Sequence, residues 1–337
     1  MFESEGVSAG AVNALDPHEG PITLPGRPRQ LVPAYPHETP FSVITLGSGS
    51  PELNPRRASA CTAIQHLGRY YVVDTGNGSS LSFVKGGARG SYRHRDIAAI
   101  LFTHLHQDHV NDYFDMVTTR WGEGGRRLDL IGPPGTNELH RFLITFFRDD
   151  LVYRLLGGGP AGVDEEGMFK GVDVRELTGA NEFTLGDLRV TTAEMTHSMY
   201  DLAYRFDLDG KAVVVSGDTA FDPRLIGLAA GADVLVIDAN PWADGQAPPP
   251  RRRPLTELPA EYQARVPFRG DPEAPNHMPL PAVVRVAAEA RVGAVVLTHL
   301  WPLPVDEALV RRTEAAFVAG GYGGRVVFAE DGLEVPA

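Results

Sequence analysis

Residues 97–111 read I-A-A-I-L-F-T-H-L-H-Q-D-H-V-N, and this stretch decides how the rest of the chain is interpreted. Its first six residues are apolar and predict a buried strand. Four possible metal ligands follow at once: His104, His106, Asp108 and His109. On an extended backbone the first two rings project to one side, whereas the last two residues fall where the chain should turn into a helix and point in different directions. Imidazole and carboxylate suit zinc and similar metals, so the pattern predicts two neighbouring ions rather than a solvated loop.

Three more possible ligands follow predicted strands elsewhere in the chain. His197 lies in E-M-T-H-S, Asp218 in V-V-V-S-G-D-T and His299 in V-V-L-T-H-L. A single histidine after a strand is commonly an ordinary polar residue. Because strands of one sandwich end on common edges, these three residues are expected to converge on one site.

Asp74 ends another predicted strand, in V-V-D-T-G-N-G. It can cap a turn before the two glycines, or accept a hydrogen bond from a histidine that binds a metal. The nearby metal motif favours the second role.

The distribution of elements predicts an α+β protein with two sheets packed face to face and helices outside. Residues 1–40 are proline-rich and predict an extended leader, and residues 41–337 predict one folded domain. A Pro- and Arg-rich insert spans 240–276. A helix is predicted over 136–156, with His140 partly exposed.

Composition limits the function classes. The 337 residues are 43% hydrophobic and 22% charged, as in a globular protein, and the net charge of −12 argues against nucleic acid as a partner. The single cysteine, Cys61, excludes an intramolecular disulfide framework and is expected in the core. The N-terminal residues lack the apolar stretch of a signal peptide and no spanning segment is evident, so we expect a cytoplasmic protein without membrane contact.

On these motifs the sequence resembles the metallo-β-lactamase superfamily over residues 41–334. Asp74 matches the first family motif, the H-x-H-x-D-H cluster the second, and His197, Asp218 and His299 the third to fifth. The resemblance implies an αββα four-layer sandwich with two divalent ions, Zn²⁺ first and Mn²⁺ or Fe²⁺ as alternatives. It places His104, His106 and His197 on one ion, Asp108, His109 and His299 on the other, and Asp218 between them. A hydroxide bridging the ions would be the nucleophile of a hydrolase.

The pieces G-S-G-S-P, S-G-D-T and L-T-H-L-W-P look like the ribonuclease Z and arylsulfatase branch. By that resemblance Asp238, in V-I-D-A-N, and His277, in N-H-M-P-L-P, match a proton-relay pair that would act with Asp108 in catalysis. Capping of a strand by Asp238 and a loop position for His277 are the alternative.

Departures from that branch predict a small-molecule substrate. Only the twenty residues 198–217 separate the third and fourth motifs, and two predicted strands occupy them, so the tRNA-gripping arm is missing. The stretch E-L-N-P-R-R-A also lacks a close match to the family's basic loop. We expect cleavage of a small-molecule phosphodiester, sulfate ester, carboxylic ester or lactone, and the substrate could be anionic. Ribonuclease Z-like action on RNA and a biosynthetic or redox reaction are the alternatives. The insert could form a lid, with its three arginines binding an anionic group. Trp242 and Trp301 could line a pocket. A homodimer is possible.

Overall fold

The computed structural model describes residues 41–86, 92–158, 163–239, 257, 259–260, 276–300 and 305–337. The expected leader 1–40 lies outside these residues, as do Trp301 and nearly all of the insert 240–276 with Trp242 and the three arginines 251–253. The leader, lid and pocket therefore stay predictions.

The strands of the described chain follow one another in the order β1 (Ser42–Gly47), β2 (Cys61–His66), β3 (Arg69–Val73), β4 (Ile97–Leu101), β5 (Leu128–Gly132), β6 (Val172–Glu176), β7 (Glu182–Leu185), β8 (Leu188–Met195), β9 (Asp201–Leu208), β10 (Lys211–Val215), β11 (Val234–Asp238), β12 (Ala294–Thr298), β13 (Arg325–Phe328) and β14 (Leu333–Pro336).

The α-helices of the described chain are α1 (Ser79–Lys85), α2 (Gln107–Val110), α3 (Tyr113–Gly122), α4 (Thr136–Phe146), α5 (Arg148–Tyr153), α6 (Pro223–Leu228), α7 (Leu280–Ala290) and α8 (Glu307–Ala319). The single helix predicted over 136–156 is thus divided at Phe147 into α4 and α5. At the start of α8, Oδ1 of Asp306 accepts a hydrogen bond of 2.7 Å from the backbone N–H of Leu309, so Asp306 caps this helix.

The strands form two seven-stranded sheets, in the orders β14-β1-β2-β3-β4-β5-β6 and β13-β12-β11-β10-β9-β8-β7. Strands β3 to β6 are parallel, and so are β10 to β13. Apolar residues alternate between the two faces of these strands. In β11, for example, Val234 and Val236 face the other sheet while Leu235 and Ile237 face α6 and α7. This alternation buries both faces of each sheet and produces the four layers.

The layers confirm the predicted α+β sandwich. One apolar cluster lies between the sheets, a second lies under α6, α7 and α8, and a third lies under α1, α3, α4 and α5. No helix of the described residues is both long enough and apolar enough to span a bilayer.

The strand directions bring the predicted site residues to one edge. Strands β3, β4, β10, β11 and β12 end at the same rim of the sandwich, and β8 runs in the direction of β10 because β9 is antiparallel to both. Carboxyl ends of parallel strands are where ligand sites form in such sheets.

Candidate metal centre

Three histidines from two parts of the chain form the first half of the site. His106 Nδ1 lies 2.9 Å from His104 Nε2 and 3.1 Å from His197 Nε2. Tetrahedral ligands on a zinc ion stand roughly 3.3 Å apart, given metal–nitrogen bonds of ~2.05 Å. The three nitrogens therefore have the spacing of one face of a coordination shell.

Two histidines and two carboxylates form the second half. His299 Nε2 lies 3.2 Å from Oδ2 of both Asp108 and Asp218. His109 Nε2 lies 3.6 Å from Oδ2 of Asp108 and 3.5 Å from Oδ2 of Asp218. Asp218 can share a ligand group with His104 as well as with His299, so it stands between the two halves.

The outer nitrogens of the histidines are held by groups behind them. His109 Nδ1 lies 2.8 Å from Oδ2 of Asp74, which also accepts hydrogen bonds from the backbone N–H and the hydroxyl of Thr103. His197 Nδ1 donates to the carbonyl of Asn276 at 3.1 Å. Such partners fix which ring nitrogen points inward and increase its basicity toward a metal.

Asp201 contacts the outer nitrogen of His104, whose hydrogen-bond partner is the hydroxyl of Thr103 at 3.0 Å, and sequence reasoning missed this aspartate. Its Oδ2 lies 2.8 Å from Nδ1 of His104, and its side chain is fully buried. The residue opens β9, four positions after His197 in the sequence. The only available signal was an acidic residue at the start of a strand otherwise rich in apolar residues.

Backbone strain concentrates at this rim. Asp74 (φ 61°) and His299 (φ 57°) adopt the left-handed conformation, which costs most side chains about 1–2 kcal/mol. Gly217 (φ 64°) precedes Asp218, and a Cβ on it would lie 2.5 Å from Oδ1 of Asp201. Only glycine fits there, and the resulting turn carries Asp218 into the cluster.

Burial and neighbouring charges shift the histidine pKa values in opposite directions in the two halves of the site. Burial lowers the pKa of His104 well below its usual range, burial and His109 lower the pKa of His106, and burial lowers the pKa of His197 to about 4. These rings are neutral at pH 7 and have lone pairs to give a metal.

In the other half, burial would lower the pKa of His109, but Asp218 and Asp74 raise it well above the ordinary value. Burial would raise the pKa of Asp218, but His299 and His109 hold it well below its usual range. Without a cation the acids therefore draw protons onto the histidines, and a divalent ion would displace them.

The residues present fit a metal by their chemistry. His109 Nε2, which faces the carboxylates of the cluster, is buried and has no hydrogen-bond partner among the described residues. Five buried aspartates meet in this one cluster: Asp74, Asp108, Asp201, Asp218 and Asp238. Such a concentration of acids is costly unless cations compensate it.

The predicted relay pair lies against the second half. Asp238 ends β11 and is fully buried, and its Oδ2 lies 2.7 Å from Nδ1 of His277. His277 also approaches Oδ2 of Asp218 at 4.0 Å. Burial would lower the pKa of His277, but the charge and hydrogen bond of Asp238 raise it to about 9.

The structure thus brings all seven predicted ligands, Asp74 and the relay pair to one rim, and their roles stay predictions. The hydroxyl of Ser216 donates to the carbonyl of Gly217 and accepts from the backbone N–H of Asp238 at 3.2 Å.

Comparison with known proteins identifies the class. A family model described as a beta-lactamase superfamily domain matches residues 69–300. Ribonuclease Z of Mycolicibacterium paratuberculosis is 32% identical over 305 residues, which cover 86% of this chain and 96% of that protein. Ribonuclease Z of Mycobacterium marinum is 29% identical over 302 residues, with the same coverage of both chains.

Solved structures agree on the fold. The metallo-beta-lactamase fold protein YhfI of Bacillus subtilis has a TM-score of 0.62 at 19% identity, covering 88% of this chain and 99% of its own. The short form of human tRNase Z has a TM-score of 0.58 at 17% identity, covering 87% and 98%.

The chain is therefore a metallo-hydrolase of αββα architecture. It belongs to the metallo-β-lactamase superfamily, in its ribonuclease Z branch. Members of this superfamily bind divalent metals, as the His and Asp groups at the rim suggest for this chain.

The expectation that nucleic acid is not a partner is wrong, because the relatives aligned with nearly the whole chain are ribonucleases. Net charge was a poor guide since it averages over the whole surface. The loop predicted to lack a basic equivalent begins at Gly49, which pairs with Leu300 beside His299, and it contains Arg56 and Arg57. As predicted from the short spacing, β9 and β10 occupy the residues between His197 and Asp218.

Proposed function

We propose that the chain is a metal-dependent phosphodiesterase that hydrolyses RNA. The observation that carries the proposal is the pair of His277 and Asp238, 2.7 Å apart, beside the His/Asp cluster of a chain 32% identical to a ribonuclease Z. RNA cleavage by hydrolysis expels a ribose oxygen, which is a poor leaving group and benefits from a positioned acid.

Two divalent ions, Zn²⁺ first among the candidates, fit the cluster. His104, His106 and His197 would hold one ion, Asp108, His109 and His299 the other, with Asp218 shared. When bound, the ions would lower the pKa of a water and neutralise charge on the phosphoryl oxygens. Asp74 and Asp201 keep the rings of His109 and His104 oriented for this task.

His277 is the proposed general acid. Asp238 accepts the Nδ1 proton of His277, which leaves Nε2–H free to donate to the leaving oxygen. Because Asp238 raises the pKa of His277 to about 9, the ring is protonated at neutral pH and ready for this role. Its partial exposure gives a substrate access to it.

Arg56 and Arg57 supply the proposed contact with the RNA backbone. Arg57 Nη1 is anchored to Oγ of Ser48 at 2.7 Å and to the carbonyl of Ala329 at 2.6 Å, which fixes the loop against the rim. Arg56 is exposed on that loop and can meet a phosphate.

The test is cleavage of RNA by purified, zinc-loaded protein. Substrates are a transfer RNA precursor with a 3′ extension, an unstructured RNA and a DNA of the same sequence. We expect turnover of RNA that chelator abolishes and added metal restores. Asp218→Ala should lose that turnover while remaining folded, and Asp187→Ala, an exposed acid away from the rim, should retain it.

Turnover of the DNA alone, or of RNA at equal rates in wild type and Asp218→Ala, would contradict the proposal. Cleavage of the precursor in preference to unstructured RNA would narrow the substrate to folded RNA.

A further inference from the structure

A second concave site lies at the edge of the sandwich away from the metal rim. A cavity of about 290 Å³ opens where β3, β4 and β5 begin, beside the turn between β7 and β8. Six residues separate Ile97, which lines the cavity, from His104, and β4 runs from the cavity toward the metal rim.

The lining is strongly basic for a chain of net charge −12. Its charged side chains are Arg69, Arg95, Arg120, Arg127, Asp96 and Asp129. Both acids already have partners, since Asp129 pairs with Arg175 at 3.1 Å and Asp96 lies 4.0 Å from Arg95. Three guanidinium groups are thereby left without a carboxylate among the described residues.

Arg120 differs from the other arginines of the lining because it is buried, with a relative exposure of 3%. Its Nε donates to the carbonyl of Ile97 at 2.8 Å and its Nη2 to the carbonyl of Arg127. Burial lowers the pKa of Arg120 to about 10, so the charge persists at neutral pH. Two carbonyl dipoles orient this charge but do not neutralise it.

Tyr71 adds a neutral donor to the same cavity. Its side chain is almost wholly buried, and its hydroxyl makes no hydrogen bond to any residue that the structure describes. Exposed arginines alone are commonly a solvated surface. A buried arginine and a tyrosine hydroxyl that both line a cavity are what a binding site for an anion requires.

We propose that this cavity binds a small phosphate-bearing anion. A phosphate group carries about two negative charges and three acceptor oxygens, which match the three uncompensated guanidinium groups and the tyrosine hydroxyl. The volume equals that of roughly ten water molecules, enough for a phosphate with a small organic group attached. This inference does not depend on the proposed RNA cleavage.

The test is a calorimetric titration of the metal-loaded, full-length protein with inorganic phosphate and with a nucleoside 5′-monophosphate. Ionic strength is kept constant with chloride, and the titration is repeated after chelation so that anions on the metals are recognised. We expect a saturable event that survives chelation. Substituting both Arg69→Ala and Arg127→Ala, whose side chains make no hydrogen bond to any described residue, should weaken it at least tenfold.

Arg126→Ala is the matched control, because Arg126 is exposed, adjacent in sequence and paired with Asp164 rather than with the cavity. It should bind as wild type does. Tighter binding of the monophosphate than of phosphate identifies an ester as the ligand, and equal binding identifies free phosphate. Absence of saturation by ~10 mM in wild type, or equal affinity in the double variant, overturns the proposal.

Discussion

Nδ1 of His277 lies 2.7 Å from Oδ2 of Asp238, although 39 residues separate them in the chain. The short contact orients the ring and keeps it protonated, as a general acid requires. We predict that His277→Ala lowers kcat on RNA by about 10²–10⁴-fold, with metal content unchanged. Steady-state kinetics and metal analysis measure the two quantities.

An aryl phosphodiester with a nitrophenolate leaving group provides the control for His277. That leaving group departs without protonation, so the variant should lose far less activity on it than on RNA. Equal losses on both substrates would assign His277 a role in metal binding or folding instead.

Asp74→Asn should loosen the metal that His109 would hold. The carboxylate accepts from Nδ1 of His109 at 2.8 Å, and an amide is a weaker and directionally ambiguous partner. We expect metal affinity to fall 10–100-fold, measured by competition with a chromogenic chelator. Asp201→Asn should lower metal affinity in the same way through His104. Wild-type metal affinity in either variant would show that the substituted aspartate does not support metal binding.

Arg56→Ala should weaken RNA binding without altering hydrolysis of a small aryl phosphodiester. Arg56 is exposed on the loop that Arg57 anchors at the rim. Loss of one phosphate contact reduces the slope of log affinity against log salt by about one. Filter binding to catalytically inactive Asp218→Ala protein over a salt series measures the slope, and Arg126→Ala should leave it unchanged.

We predict that the folded protein loses stability in acid because of His140. It is buried, its Nδ1 lies 2.9 Å from the hydroxyl of Tyr113, and burial lowers its pKa. Because the unfolded chain takes up a proton near the ordinary value of about 6.5, the stability from neutral His140 is present above that pH and is lost as pH falls toward the lower folded pKa.

His140→Asn cannot take up that proton. In chelator, which removes metal effects, its free energy of unfolding should be about 1–3 kcal/mol lower at pH 8 but should fall less steeply than that of wild type toward pH 5. Denaturant unfolding at several pH values measures both. Arg141→Gln, on the exposed side of the same helix, should keep the wild-type slope, and a parallel fall in His140→Asn would refute the assignment.

Much of the fold was predictable because apolar periodicity marks buried strands. Strand β12, for example, is apolar in four of its five residues, and those four are buried. Strand β14, L-E-V-P, was not predicted because it is short and ends in proline. Its position is set by pairing with β1. His140 was expected to be partly exposed and is buried, because its hydrogen bond to Tyr113 depends on a distant helix.

The residues that form the candidate metal site could be predicted from the sequence, but the groups that hold those residues in place could not. Strand-end residues in a recognisable order specified which side chains should meet. Asp201 could not be inferred, because its contact with His104 depends on the turn at Gly217 and on the pairing of β9 with its neighbours. The expectation that nucleic acid is not a partner failed because an overall charge says nothing about a loop that pairs beside His299.

Native mass spectrometry of zinc-loaded protein tests the central claim most directly, because it counts ions on the folded chain. We predict two ions per wild-type chain and fewer in Asp218→Ala. In the wild type, Oδ2 of Asp218 lies 3.2 Å from Nε2 of His299 and 3.5 Å from Nε2 of His109. Two ions bound with undiminished affinity by Asp218→Ala, or RNA cleavage by wild-type chains that carry none, would contradict it.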